Sequence, residues 1–280
     1  VRMWNSAATQ RNLVTLKQDG VLFAGPNDGE MACGEFGPGR MAEPNDIADA
    51  VEAALAQSAT GPLAGVKALV TAGPTQEPLD PVRFIANRSS GKQGYAIADA
   101  LAKAGADTTL VSGPVELVAP HHVKLVKVTT AREMLAACEH ALPADVGIFT
   151  AAVADWRPEV VANTQMKKRE GDSVPDIKLA QNPDILATIA QGGKRPRLVI
   201  GFAAETDDIV ANAKSKLAKK SADWIVANDV SPATGIMGGD RNTVHLISKS
   251  GVEDWPEMKK SEVGARLAVR IAEALKGKAA

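Results

Sequence analysis

Cysteine is nearly absent: Cys33 and Cys138 are the two in 280 residues. Two thiols are too few for a disulfide framework and fit a reducing compartment. They stand in no Cys/His spacing that resembles a zinc site, and the four histidines are scattered. No apolar run approaches the ~20 residues that a bilayer-spanning helix needs. No stretch reads as a signal peptide, so the expectation is a cytoplasmic protein. An excess of charge is missing as well. A net charge of -1 provides no basic field for nucleic acid or an anionic membrane, so any phosphate chemistry must rest on local basic groups. No internal repeat, low-complexity tract or compelling Ser/His/Asp order is present. What the chain has is apolar material, 45% of its residues, enough to bury one good core with a smaller unit attached. It opens on Val1 rather than Met, and its first residues read as the middle of something, which gives the expectation of a truncated longer parent.

Residues 1–60 do not read as a self-sufficient domain. Residues 2–17 suit one helix and 21–24 a short strand. A stretch from 25 to 44 follows, with Gly at 25, 29, 34, 37 and 39 and Pro at 26, 38 and 44. That density predicts an ordered loop or flap with no regular element. Residues 46–57 suit a short helix and 58–65 a linker. From Lys67 short apolar strands alternate with helices. Strands are expected at 68–72, 108–111, 123–128, 146–150, 198–202, 224–227 and, last, 243–248. Helices are expected at 94–104, 133–141 with Thr130 as cap, 207–220 and 261–275. Apolar strands alternating with helices predict a mostly parallel sheet covered on both faces. Right-handed crossovers then give an α/β, Rossmann-like, doubly wound fold, in which ligands sit at the carboxyl ends of the strands. Polar, Gly-rich segments follow Ala72, Thr150, Phe202 and Ala227, which are those ends.

The densest polar segment runs from Arg83 to Gly94 and leads into a helix. Ser89, Ser90 and Gly91 at a helix start expose backbone N–H groups that favour an anion, and Arg83, Arg88 and Lys92 add positive charge. It is not a Walker A loop, because Ala86 replaces the first Gly and Gln93 the Ser/Thr. No G-x-G-x-x-G follows the first strand. On spacing alone the segment reads equally as an anion site or as an N-capped helix with a solvated face. After the 146–150 strand come Ala151-Ala152-Val153-Ala154-Asp155-Trp156. Small residues there admit a flat ligand, and Asp155 could hold a ribose hydroxyl or a metal; taken alone it reads better as an N-cap beside a packing Trp. Lys167-Lys168-Arg169 is a basic loop cluster. Lys216 and Lys220 share a helix face at i,i+4 spacing. Both runs read equally as solvated faces.

Taken together, the segments resemble one family. Thr71-Ala72-Gly73-Pro74-Thr75, Asp80-Pro81-Val82-Arg83-Phe84-Ile85, Asn87-Arg88-Ser89-Ser90-Gly91-Lys92, Ala151-Ala152-Val153-Ala154-Asp155-Trp156, Asn182-Pro183-Asp184-Ile185, Gly201-Phe202-Ala203-Ala204-Glu205-Thr206 and Ala227-Asn228-Asp229 are similar in order and spacing to the phosphopantothenate–cysteine ligases. The likeness runs from about Ala64 to Leu275. Ahead of it, Met3-Trp4, Ala8-Thr9-Gln10-Arg11-Asn12 and the segment from Ala32 to Met41 resemble the end of the flavin-dependent decarboxylase fused to the bacterial ligase. The resemblance implies residues 1–60 as the decarboxylase remnant and linker, and 61–280 as the ligase domain.

That resemblance implies a reaction. The carboxylate of 4′-phosphopantothenate attacks the α-phosphorus of CTP, pyrophosphate leaves, and an acyl-cytidylate forms. The amine of cysteine then displaces CMP. Both steps build negative charge on oxygen, so catalysis rests on positioning and electrostatics. By resemblance, Asn87 contacts the acyl intermediate and Arg83 acts beside it in the second step. Ser89, Ser90, Gly91, Lys92 and Ala152 meet the substrate. Ala151, Asp155, Pro183, Asp184, Ile185, Leu186 and Phe202 line the nucleotide pocket, and Lys216 and Lys220 meet the triphosphate. Mg²⁺ is held chiefly by the phosphates, with no protein ligand named. Cys33 resembles the decarboxylase's proton donor; its other reading is a small buried Cys. FMN belongs to the parent's decarboxylase domain, so neither flavin binding nor decarboxylation is expected of this chain. The family's Lys-x-Lys-Lys run after the Asp-Trp segment is Gln165-Met166-Lys167-Lys168 here, which replaces a nucleotide-touching Lys with Gln165 and leaves Lys167 as a substitute. A homodimer through the ligase domain and a higher oligomer of the full-length parent are implied as well.

Two other readings fit parts of the sequence. A non-catalytic nucleotide-binding remnant fits the substituted Lys. A nicotinamide-dependent dehydrogenase fits the fold but lacks the Gly fingerprint.

Overall fold

The computed structural model describes residues 1–31, 34–59, 61–167, 176–205, 208–229 and 239–277. The chain forms two compact units, Val1–Thr60 and Gly61–Ala280.

In the first unit, α1 (Ala7–Gln18) starts at Ser6, whose side chain accepts the Thr9 N–H. Strands β1 (Asn27–Glu30) and β2 (Phe36–Arg40) pair antiparallel, and α2 (Pro44–Ala59) follows. The Gly-rich stretch therefore does hold a regular element, a hairpin, whereas residues 21–24 form no strand. Glycine weakens a strand unless something approaches its backbone closely. Here something does: a Cβ on Gly37 would lie 3.1 Å from a Val1 methyl, and one on Gly39 3.1 Å from the Trp4 Cβ. Among the described residues of this unit only Gly29 and Ala42 are buried.

The second unit is built on one sheet of eight strands. In chain order its elements are β3 (Lys67–Ala72), β4 (Gln76–Pro78), β5 (Phe84–Ala86), α3 (Lys92–Lys103), β6 (Asp107–Ser112), β7 (Val123–Lys127), α4 (Ala131–His140), β8 (Val146–Phe149), β9 (Trp156–Pro158), β10 (Leu179–Gln181), α5 (Ile185–Gln191), β11 (Leu198–Glu205), α6 (Ile209–Lys219), β12 (Trp224–Asp229), β13 (Arg241–Ser248), β14 (Gly251–Lys259) and α7 (Lys260–Gly277). The large sheet has the order β14-β13-β12-β11-β8-β3-β6-β7. Six neighbouring strands, β7 to β12, are parallel. The chain leaves β3 in one direction and returns on its other side at β8, so the strand order reverses between them. This is the doubly wound, Rossmann-like arrangement, with its crevice at the carboxyl ends of β3 and β8.

Period-2 alternation divides the core. Ala68, Val70, Ile148, Ile200 and Val226 pack beneath α3 and α7 against Ile97, Leu101, Leu267 and Ile271. Leu69, Phe149, Val199, Ala203 and Ile225 face the other way, onto Met134, Ile185, Ile189 and Leu217 of α4, α5 and α6. Helix α4 carries the expected cap at Thr130, completed by Glu133 into a reciprocal box.

The far edge carries the antiparallel strands of this mostly parallel sheet. Strand β13 runs antiparallel to β12, and β14 lies outside it. Strand β14 is hard to read in sequence because only Trp255 is buried along it, and an edge strand with one wet face reads as polar. Two small hairpins, β4–β5 and β9–β10, and the short helix α5 were also unforeseen. No helix among the described residues is long and apolar enough to cross a membrane.

Candidate functional site

The carboxyl ends of β3 and β8 are laced together. Thr150 Oγ1 donates to the Thr71 carbonyl at 2.6 Å, and the Ala152 N–H donates to Gly73 O at 2.9 Å. Beyond the strands, Thr75 N–H reaches Ala152 O at 3.3 Å, and Thr75 Oγ1 accepts the Ala154 N–H at 3.0 Å. Thr75 is fully buried, so its hydroxyl satisfies a backbone group that water cannot reach. Asn182 extends the lacing: its Nδ2 donates to Ala154 O at 2.8 Å, and its N–H donates to Asp155 O at 2.8 Å. The result is a floor of backbone and small side chains, Gly73 to Thr75 on one side and Ala151 to Asp155 on the other.

Helix α3 begins on this floor. Its N-cap is Gly91 at φ 73°, with no side-chain cap. Ser89 Oγ accepts the Gly91 N–H at 3.3 Å instead. The N-cap itself therefore supplies no side-chain cap, and a helix start of this kind favours an anion. Gly73, also in the left-handed region, lies directly against Gly91: a Cβ on Gly91 would be 3.5 Å from the Gly73 Cα. Lys92 forms an ion pair with Asp240 at 2.6 Å, and its ammonium holds the Asp240 carboxyl below the usual range.

Two polar side chains are fixed by the surrounding loops. Asn87 Nδ2 donates to Val153 O at 2.9 Å, tying the segment after β5 to the floor. Arg83 pairs with Asp80 at 2.6 Å, and its Nη2 also donates to Met166 O at 2.9 Å. The Asp80 side chain is wholly buried while that of Arg83 is 47% exposed. The guanidinium is the chief cause that keeps the Asp80 carboxyl well below the usual carboxylate range; burial opposes this, and the N–H groups of Val82, Met166 and Arg83 assist.

On the β11 side, Lys216 pairs with Glu205 at 2.7 Å, and Lys220 pairs with Asp184. Asp184 also caps α5 by accepting the Ala187 N–H at 3.0 Å. The two lysines thus hold acids at the end of β11 and the start of α5, rather than presenting a plain solvated face. Leu186 packs on Gly201, where a Cβ would come within 2.6 Å of it. Phe202 is half-buried, as are Ala151, Ala152 and Pro183, while Ile185 is buried.

The N-cap reading of Asp155 fails, because strand β9 and not a helix follows it, and its partner Trp156 is 58% exposed. Gln165 and Lys167 are exposed. The segment they flank is fastened through Met166 to Asp80 and Arg83. Cys33 lies outside the described residues. Cys138, on the buried face of α4, is desolvated, which pushes its thiol up to about 12 and makes it inert. Three site residues were overlooked as individuals, Asp80, Thr75 and Asn182. All three are buried polar residues, and their burial was the missing signal. Among the described residues no group of three or more His, Cys, Asp or Glu could hold a metal ion.

This geometry can be set beside known proteins. Residues 63–275 match the family described as DNA/pantothenate metabolism flavoprotein C-terminal domain, and residues 1–56 match the family described as Flavoprotein. The Coenzyme A biosynthesis bifunctional protein CoaBC of Escherichia coli (strain K12) is 45% identical over 269 residues, covering 95% of this chain and 66% of that protein. The chain thus spans just under two thirds of that relative. The protein of the same name from Bacillus subtilis (strain 168) is 40% identical over 275 residues, covering 97% of this chain and 67% of the relative. The crystal structure of the C-terminal domain of a Coenzyme A biosynthesis bifunctional protein CoaBC is 40% identical, with a TM-score of 0.66, covering 78% of this chain and all of that one. The chain belongs to the DNA/pantothenate metabolism flavoprotein C-terminal domain family, as found in the bifunctional coenzyme A biosynthesis proteins.

Proposed function

We propose that this chain ligates 4′-phosphopantothenate to cysteine through an acyl-cytidylate, within the cytoplasm. The observation that carries the reading is the meeting of three features at the strand-order reversal. These are an uncapped helix start (Ser89 to Lys92), a floor of small residues (Ala151 and Ala152), and an amide, Asn87, held on that floor by Val153. In the first step the pantothenate carboxylate displaces pyrophosphate from CTP. Helix N–H groups and Lys92 hold the phosphate of phosphopantothenate. Asp155, Pro183 to Leu186 and Phe202 line the nucleotide, and Lys216 and Lys220 leave Glu205 and Asp184 to meet the triphosphate. In the second step the amine attacks the acyl carbon. Asn87 donates to the developing oxyanion, Arg83 supplies positive charge, and CMP leaves. Mg²⁺ would neutralise charge on the phosphates and, as the resemblance implies, would be held chiefly by their oxygens.

Residues 1–60 belong, in this reading, to the end of a flavin-dependent decarboxylase domain. The match of residues 1–56 supports it, as do the exposed Met3, Leu22, Phe36 and Met41, apolar side chains that suit a larger body. With only Gly29 and Ala42 buried among its described residues, this unit does not fit an enclosed FMN site, and no decarboxylation step is proposed for the chain. In the second unit the adjoining hairpins β4–β5 and β9–β10 expose Phe84, Trp156 and Leu179, which supports a homodimer formed through them. Sedimentation of the Trp156→Glu variant tests that point: a shift to monomer is expected, and an unchanged mass rejects it.

The function itself is tested with purified protein, phosphopantothenate, cysteine, CTP and Mg²⁺. Phosphopantothenoylcysteine and pyrophosphate are expected in equal amounts. Folded protein that releases neither with any nucleoside triphosphate defeats the reading and favours a non-catalytic nucleotide-binding remnant.

A further inference from the structure

We propose that Asp80 is a positioning residue that locks Arg83 and the segment 165–167 into one unit, so that neither takes its working place without the other. The carboxylate is completely shielded from solvent, and a buried charge is tolerated only when fully paired and hydrogen-bonded. Five N–H groups converge on it. Oδ1 accepts the Val82 N–H at 2.9 Å and the Arg83 N–H at 2.8 Å. Oδ2 accepts Arg83 Nε at 3.0 Å, Arg83 Nη2 at 2.6 Å and the Met166 N–H at 3.2 Å. The remaining N–H of Nη2 goes to Met166 O at 2.9 Å.

This closes a ring. Met166 donates to the carboxylate and accepts from the guanidinium that the same carboxylate holds. Two consequences follow. First, Nε and Nη2 are both occupied within the chain. Only Nη1, with no partner among the described residues, remains to face a ligand, and the guanidinium is fixed before any ligand arrives. Ordering in advance lowers the entropic cost of the reacting complex. Second, Gln165 and Lys167 are carried on either side of the anchored Met166, both exposed. Their reach is therefore set by Asp80, 85 and 87 positions from them in sequence.

The inference rests on the reading of Arg83 as a group acting in the second step of ligation, and the test separates the two ideas. Hydrogen exchange at the Met166 amide requires no activity. It is expected to be slow in the parent chain and at least tenfold faster in both Asp80→Asn and Arg83→Ala. The kinetic arm is a double-mutant cycle on the turnover of acyl-cytidylate. Asp80→Asn and Arg83→Ala should each slow it, and the double variant should be no slower than Arg83→Ala alone, because Asp80 acts through Arg83. A residue that merely stabilises the fold would give losses that multiply. If Asp80→Asn folds poorly, Asp80→Glu, which keeps the charge and displaces its oxygens by one methylene, enters the same cycle. Unchanged exchange at Met166, or multiplying losses, overturns the proposal. A parent chain with no ligation at all defeats the functional reading instead, and the exchange arm still decides the positioning.

Discussion

The Nδ2 of Asn87 donates to the carbonyl oxygen of Val153 at 2.9 Å. One amide hydrogen thereby fixes the segment after β5 on the floor beyond β8, and the other N–H of the same group is left to donate elsewhere. An Asn87→Asp variant keeps the size but loses both donors, and it sets a carboxylate against the Val153 carbonyl. The proposed role predicts a slower second step with a less affected first step. Losing one donor to a developing oxyanion costs about 3 kcal/mol, a rate loss on the order of a hundredfold. Rapid-quench measurement should find acyl-cytidylate accumulating with pyrophosphate released. Equal slowing of both steps would remove Asn87 from that role.

Gly94 reports on how closely α3 must approach the strands. A Cβ there would lie 2.5 Å from the Ala72 Cβ and 2.5 Å from Thr150 Oγ1. Alanine is the better helix former by about 1 kcal/mol, yet the collision with strand atoms outweighs this, since overpacking costs about 1–3 kcal/mol. Gly94→Ala should therefore lower the urea midpoint of the second unit. It should reduce ligation more than stability, because the helix start must lift from the floor. A stabilised, fully active variant would show that α3 has room the geometry denies.

The parallel half of this fold was legible because its strands are buried on both faces. The runs 68–72, 146–150 and 198–202 are apolar but for Thr71 and Thr150, and the helices between them carry one apolar stripe, so pattern alone identified them. Strand β14 was not legible, since its one buried side chain, Trp255, leaves no alternation to read. The hairpin in the Gly-rich stretch was hidden for another reason. Gly37 and Gly39 are there because Val1 and Trp4 pack on them, a contact distant in sequence. At the candidate site the charged residues drew attention and their supports did not. Asp80, three residues before Arg83, shows no sign of its own role in sequence, because a surface acid and a buried acid look alike there. The pairing of Lys216 with Glu205 and of Lys220 with Asp184 was equally invisible, since the acids lie on β11 and at the start of α5.

Lys216 tests the triphosphate contact. Its partner Glu205 is only 12% exposed while Lys216 itself is 44% exposed, so the ammonium can turn outward while the acid stays in place. Lys216→Met should raise the KM for CTP about tenfold, equivalent to about 1.4 kcal/mol, with the KM for phosphopantothenate unchanged. Lys216→Arg, which keeps the charge, should recover most of the affinity. Loss of phosphopantothenate binding instead would move this lysine to the other substrate. A separate denaturation curve accounts for the unpaired Glu205, which destabilises the fold without altering KM.

The last prediction concerns Gln165. By its resemblance to the ligases, the chain sets a neutral amide here where a Lys is expected. The fastening of Met166 to Asp80 and Arg83 holds the segment beside Arg83 and leaves both flanking side chains exposed. A charge pair at ~4 Å near a surface amounts to at most about 4 kcal/mol before desolvation is subtracted. The net gain from restoring it should be smaller, because in the proposed reading Lys216, Lys220 and Mg²⁺ would share the phosphate charge. Gln165→Lys should therefore lower the KM for CTP several-fold with little effect on stability, as expected for an exposed position. Lys167→Gln should raise it, since Lys167 stands two residues on and can turn toward the same phosphates. Steady-state kinetics of the two variants decides the matter. Both opposite shifts are needed: wild-type KM and kcat in both variants would mean that segment 165–167 serves Arg83 alone and that its positive charge never meets the nucleotide.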